Sequence, residues 1–159
     1  MTMEVLVRKA VRQDADAIAE HWMDFKDLFA GKVELDMTMV PDAQARFKRF
    51  VLKCIRSRNS RVAVAERGGK VVGYIIGTIL KRAPVYKTRN QAFVTDMYLA
   101  KGERSKGTGK RLMDVMAGWA IKKGLKLMAL YVHPENAGAI RFYNRLGFRP
   151  VFYNMVKRL

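Results

Sequence analysis

At 159 residues, half of them hydrophobic, the chain suits one domain (1–159) with a sizeable core and does not have the make-up of a disordered segment. No apolar run approaches the roughly 20 residues of a membrane helix, and acids and bases stand near the N-terminus where a signal peptide would be apolar. One cysteine, Cys54, excludes an internal disulfide, and with only His21 and His133 beside it there is no metal-ligand cluster. A soluble, cytoplasmic protein without a metal is expected.

The formal charge of +17 is unevenly spread. Residues 1–42 hold nine Asp/Glu against five Lys/Arg, a net of −4, whereas 43–159 hold five acids against 26 bases, a net of +21. No internal repeat, low-complexity segment or linker interrupts the chain.

In chain order, Glu4 to Lys9 alternates as a strand, and Asp14 is an N-cap candidate for a helix from Asp14 to Phe29. Ile18, Trp22, Phe25 and Phe29 form its apolar stripe; Asp16, Glu20, Asp24 and Asp27 form an acidic one. His21 adjoins the apolar stripe and reads as a packing or hydrogen-bonding residue. Ala30 to Met39 is a loop with Glu34 and Asp36. A second helix runs from Pro41-Asp42 to about Ser57, with Ala43, Phe47, Phe50, Val51, Cys54 and Ile55 inward. Arg61–Glu66 and Lys70–Leu80 form a hairpin across Arg67-Gly68-Gly69. A basic loop, Lys81 to Asn90, leads to a central strand from Gln91 to Ala100.

Gly107 to Lys123 is a helix with Leu112, Met116, Trp119 and Ala120 on one face and Gly124 as its stop. Leu125 to Val132 is a strand, His133-Pro134-Glu135 a break, and 136–146 a helix between Asn136 as N-cap and Gly147 as C-cap. Arg149 to Leu159 is expected to close the sheet. The ten methionines lie on core-like faces and read as packing.

The loop Arg104-Ser105-Lys106-Gly107-Thr108-Gly109-Lys110 joins the central strand to the helix and has the features of an anion site. The helix start supplies free amides and partial positive charge, the glycines let backbone approach a phosphate, and Arg104, Lys106, Lys110 and Arg111 add full charges. A P-loop is excluded because Arg104 and Arg111 stand where it needs Gly and Ser/Thr. A dinucleotide fingerprint is excluded because Leu112 replaces its third glycine.

Arg-x-x-Gly-x-Gly at 104–109 after a strand, then Asn-x-x-Ala-x-x-Phe-Tyr-x-x-Leu-Gly-Phe at 136–148, resembles the GNAT superfamily of acyl-CoA-dependent N-acyltransferases. The likeness covers about Ala92 to Tyr153; the N-terminal part matches in layout only. It implies the α/β GNAT fold, a mixed twisted sheet of six to seven strands with helices on both faces and central strands splayed around the pantetheine arm of acetyl-CoA. By position, Met97, Tyr98 and Leu99 would pair with that arm, Ser105 to Lys110 with Arg104 would hold the pyrophosphate, and Asn136 would contact the arm or cofactor backbone. A backbone N–H near Met97 would be the oxyanion donor.

The same resemblance makes Tyr143 the general acid toward the thiolate, and Asp96 is the nearest candidate for the base; His133 and the loop acids Glu34 and Asp36 are alternatives. The reading is an N-acetyltransferase acting by direct transfer on a primary amine: a protein N-terminus, a lysine or a small cationic amine. Asp24, Asp27, Glu34 and Asp36 would form an acidic rim that attracts it. The alternative is a nucleic-acid- or ribosome-associated binding module on this fold, its phosphate contacts on Lys48, Arg49, Lys53 and Arg56. Acyl preference and oligomeric state are left open, a dimer being compatible with the sequence.

Overall fold

A computed structural model of the chain describes residues 4–27 and 39–157, with the backbone alone at 25–27. The expectations for the side chains of Phe25, Asp27 and Phe29, and for Glu34 and Asp36 in the loop, lie outside the described residues. The strands are β1 (Leu6–Lys9), β2 (Ser60–Arg67), β3 (Lys70–Lys81), β4 (Asn90–Leu99) and β5 (Met128–Leu130). The helices are α1 (Ala15–Asp27), α2 (Ala43–Arg56), α3 (Thr108–Lys122) and α4 (Ala137–Arg145). The strands form one sheet in the order β1-β2-β3-β4-β5; the first three pairings are antiparallel and β4 with β5 is parallel.

Helices cover both faces. Alternation along β2 and β3 turns Val62, Val64, Tyr74 and Ile76 toward α1 and α2, where they meet Ile18, Val51 and Cys54. Ala63, Ala65 and Ile75 turn the other way, toward Leu112, Met116, Trp119 and Ala120 of α3. The 3.6-residue period places those four α3 residues on one buried stripe, as expected from the sequence. On α2, Ala43, Val51 and Cys54 are buried, while Phe47 packs from the edge against Trp22, ring centroids 4.4 Å apart. The hairpin turns at Gly68 and Gly69, both at positive φ, which its two-residue connection requires.

Two expectations are corrected. Among the described residues the sheet has five strands, not six to seven, and Arg149 to Lys157 does not close it. Val151, Phe152, Tyr153 and Met155 are each more than three-quarters exposed. Pro150 has no amide to donate, Arg149 is bonded back to the carbonyls of Asn144 and Phe148, and β5 keeps only three residues in register, too short a ladder to hold another strand. Second, Asp14 does not cap α1. It ends a 3-10 turn, Arg12–Asp14, and reaches back to the Val11 amide at 2.7 Å.

Asp14 is 6% exposed and takes both ends of the Arg8 guanidinium, at 2.8 and 2.9 Å. Arg8 also bonds Glu66 on β2, so one side chain ties the entry of α1 to the sheet. Burial works against ionisation of Asp14, but the Arg8 hydrogen bonds and the Val11 amide outweigh it and hold the carboxyl below its usual range. Asp14→Ala, which leaves Arg8 with only Glu66, is expected to cost about 3 kcal/mol in urea unfolding. Because the folded pKa is depressed, Asp14 stabilises the fold above the unfolded-state value near 4 and stops doing so as pH falls through the folded one. The gap between parent and variant should therefore narrow as pH falls below about 4.

Candidate active site

The site opens where β4 and β5 part. Ala92, Phe93 and Val94 pair with Met128, Ala129 and Leu130, and beyond Val94 the pairing ends. On its other side β4 stays paired with β3, Tyr98 to Tyr74 and Leu99 to Gly73. The register slips at Thr95, a β-bulge, so Ala92 and Val94 face α3 while one step later Met97 and Leu99 do. Asp96 and Tyr98 are thereby opposite Ile76 and Tyr74, on the side of α1 and α2. The Ala100 amide donates to Val72 on β3. Strand alternation then directs the backbone N–H and C=O of Met97 and Leu99 to the open side.

That gap is a cleft of about 150 Å³ lined by Thr95, Asp96 and Met97 on one wall, Leu130 to His133 on the other, and Asn136, Ala139 and Tyr143 of α4. Asn136 accepts a hydrogen bond from the Ala139 amide at 3.1 Å, the expected cap. This bond closes the first turn of α4 at the mouth of the cleft. Gly147, at φ 91°, ends the helix in the left-handed conformation that glycine adopts without strain.

The expected anion loop lies at the start of α3. Ser105 (φ 61°) and Gly107 (φ 82°) are both left-handed. The first backward bond of the helix runs from the Arg111 amide to the Gly107 carbonyl, so the amides of Thr108, Gly109 and Lys110 precede the helical ladder. The two glycines have different reasons. A Cβ on Gly107 would meet open space, so its requirement is conformational. A Cβ on Gly109 would press on Met97, Leu99 and Phe142 at 3.2–3.3 Å, so Gly109 lets the helix start lie against β4.

The loop's cations are less available than their number implies. Arg111 donates to the Val5 carbonyl at 2.7 Å, Lys110 pairs with Asp114 at 2.7 Å, and the Arg104 Nε donates to the Leu99 carbonyl at 3.0 Å. Glu103, beside the loop, is 8% exposed and paired with Arg67 at 2.8 Å, which anchors the loop to the end of β2.

Among the titratable groups, Asp96 is distinctive. Among the described residues no donor meets its carboxylate, and burial pushes its pKa up to about 7. The buried Tyr74 hydroxyl is raised by its own burial and then by the charge of Asp96. Tyr143 is raised by burial; its ring packs edge-on against Phe148 and beside Phe142 while it lines the cleft. His133 also lines the cleft, where its Nδ1 accepts the Glu135 amide at 3.2 Å, a turn-holding role. His21 is a packing residue, as expected: its ring stacks on Tyr98 and its Nε2 lies 2.8 Å from the Val71 carbonyl.

The structure thus brings Asp96, Met97, Asn136 and Tyr143 around one cleft, while Arg104 to Lys110 form the loop at the start of α3 and Tyr98 faces α1. Sequence reasoning missed the bulge at Thr95. Its signal was present: the apolar alternation runs on even numbers at Ala92 and Val94 and on odd ones at Met97 and Leu99.

The profile of the acetyltransferase (GNAT) family matches residues 16–148. The chain belongs to that family. An uncharacterized N-acetyltransferase, MJ1207, of Methanocaldococcus jannaschii is 33% identical over 120 residues, 72% of this chain and 53% of that one. The chain thus spans about half the length of this curated relative. Among solved structures, a predicted acetyltransferase from Clostridium acetobutylicum with acetyl-CoA superposes with a TM-score of 0.77 at 15% identity, covering 98% of this chain and 96% of that one. The aminoglycoside N-acetyltransferase AAC(6')-Iy, in complex with a bisubstrate analog, gives 0.72 at 19% identity, covering 98% of each chain. Both show the shared fold.

A raised carboxylate has a stability signature. Folded Asp96 binds its proton from pH 4 to about 7 while the unfolded chain does not, so this group's contribution falls as pH rises through that window and then levels off. Asp96→Asn should remove that slope. Thermal melts across the same window are expected to show the variant gaining on the parent toward pH 8, by a few kcal/mol at most. A constant gap between the two would mean an ordinary carboxylate.

Proposed function

We propose that residues 1–159 act as one catalytic unit that moves the acetyl group of acetyl-CoA directly to a primary amine. The observation that carries this reading is the cleft between β4 and β5, which has free β4 backbone along one wall, Asp96 and Tyr143 at its sides, and a helix N-terminus beside it. A strand with one open side can pair with an extended amide-bearing arm. The amides of Thr108, Gly109 and Lys110 suit its pyrophosphate, and Ser105 and Lys106 flank them.

Each step needs one group. The amine must lose its proton before it attacks the thioester carbon, and Asp96 is the base, with a pKa matched to neutral pH. As the carbon–nitrogen bond forms, negative charge grows on the carbonyl oxygen, where the Met97 amide is the donor. The carbon–sulfur bond then breaks, Tyr143 gives its proton to the departing thiolate, and the extra proton on the new amide nitrogen is released through solvent to restore the phenol. Burial raises the Tyr143 pKa and keeps the phenol protonated until that moment. Asn136 caps the helix that carries Tyr143 and contacts the pantetheine arm.

The acceptor is proposed to be cationic, a protein N-terminus, a lysine or a small amine. Asp24, largely exposed and 3.4 Å from the Tyr98 hydroxyl, supports an acidic approach on the α1 side. The family match lends no support to the binding-module alternative.

Calorimetric titration with acetyl-CoA tests the cofactor, and turnover with basic peptides and polyamines tests the acceptor. Tyr143→Phe is expected to leave acetyl-CoA affinity unchanged and to lower turnover by about 10²-fold. Unchanged turnover would make Tyr143 a packing residue. In the parent, kcat/KM should rise with pH to a half-maximum near 7 as Asp96 ionises. Gly107→Val should abolish acetyl-CoA binding; a normal affinity would remove the loop assignment.

A further inference from the structure

A second concave site lies at the far end of α3. It is a cavity of about 210 Å³ between the end of β1, the end of α2, the start of β2 and the last turn of α3. Lys9, Arg56, Arg58, Arg61 and Lys123 line it, and no acidic residue does. Three of the five come from one stretch, Arg56-Ser57-Arg58-Asn59-Ser60-Arg61. The fifteen residues of α3 separate this cavity from the Gly107 loop by about 20 Å, so the two sites do not merge.

The cluster is not explained by its neighbours. Both α2 and α3 end here, and a helix C-terminus carries about half a negative charge. Two such ends supply about one negative charge, against five whole positive ones. The Arg61 Nε is buried and meets no hydrogen-bond acceptor among the described residues, so no protein partner is seen to hold this guanidinium at that atom. A buried donor without a partner is costly, and its own backbone neighbours do not satisfy it. Arg56 spends only its Nε, on the Leu52 carbonyl at 3.2 Å.

We propose that this cavity binds a small polyanion carrying phosphate groups, and that Arg61 is its anchor. A phosphate monoester brings up to about two negative charges and several acceptor oxygens to one point. Five cations around one cavity match that concentration. A nucleic-acid backbone carries a single charge per phosphate, spread along the strand, and fits a stripe better than one compact concave site. This site is independent of the acetyl-CoA reading.

Pyrophosphate is the probe, titrated calorimetrically at low salt into the full chain. Because the Gly107 loop also offers amides to phosphate, Gly107→Val and Lys106→Gln are run beside Arg61→Met and Arg58→Gln. Arg61→Met should weaken pyrophosphate binding by at least about tenfold, Arg58→Gln by less, and the loop variants should leave one such site intact. Without ligand, Arg61→Met should melt no lower than the parent, since it relieves like-charge repulsion and removes the orphaned donor. With pyrophosphate, the parent alone should gain in melting temperature. The proposal fails if the parent shows no saturable binding, or if Arg61→Met binds as the parent does. It also fails if only the loop variants lose binding, or if single-stranded RNA binds through Arg61 and pyrophosphate does not compete.

Discussion

β4 has a partner along its whole length on one side and along only three residues on the other. That asymmetry organises the molecule. Backbone groups left open by an unfinished ladder must find partners elsewhere or face solvent, because buried unpaired ones are costly. Here the open groups of Met97 and Leu99 face a cleft, and among the described residues only the Leu99 carbonyl is occupied, by Arg104. The bulge at Thr95 makes the asymmetry usable. Without it, Asp96 would face α3 and Met97 would face α1, and the strand would present an apolar side chain where the carboxylate now stands. The bulge also keeps Met97 and Leu99 on the side where Gly109 packs, so cleft and helix start share one support.

Two aspartates of similar intrinsic acidity are shifted in opposite directions by the fold. Asp14 is the more buried by surface area, yet its carboxyl stays below the usual range because a guanidinium and an amide reach it. Asp96 meets no donor among the described residues, and burial carries it to about 7. Burial sets the penalty in both; the hydrogen-bond partner decides the direction. An ion pair joining β1, β2 and the turn before α1 cannot lose its charge without loosening the fold. A carboxylate that costs stability when charged, and still stands on a central strand, is hard to explain by packing.

Elements with a local signature were legible in the sequence. The α3 stripe, the Gly124 and Gly147 stops, the Asn136 cap and the Gly68-Gly69 turn all depend on residues within a few positions of each other. Features that depend on distant partners were not. Asp14 looks like a forward cap by residue type and place; it turns backward to the Val11 amide and to Arg8, a guanidinium that also bonds Glu66 some fifty residues later. The apolar run from Val151 to Val156 looks like a strand because strand propensity ignores whether an edge exists to receive it. Its edge is β5, which pairs for three residues. Of the site, the two motifs announced the loop and the α4 tyrosine. The elevation of Asp96 could not be read, since it arises from an absence of donors that only the packed structure defines.

The two ends of α3 also account for part of the charge that composition alone leaves unexplained. At its N-terminus, amides and dipole already favour an anion, so few side-chain charges are needed. Arg111 and Lys110 are accordingly spent on Val5 and Asp114. At its C-terminus the dipole has the opposite sign and α2 adds a second negative end. A positive cavity there must be built from side chains alone, and five are present. The surplus of basic residues is therefore not simply a longer version of the Gly107 loop. Five of the 31 Lys/Arg gather where the backbone offers an anion no help, as expected if those five serve a site of their own.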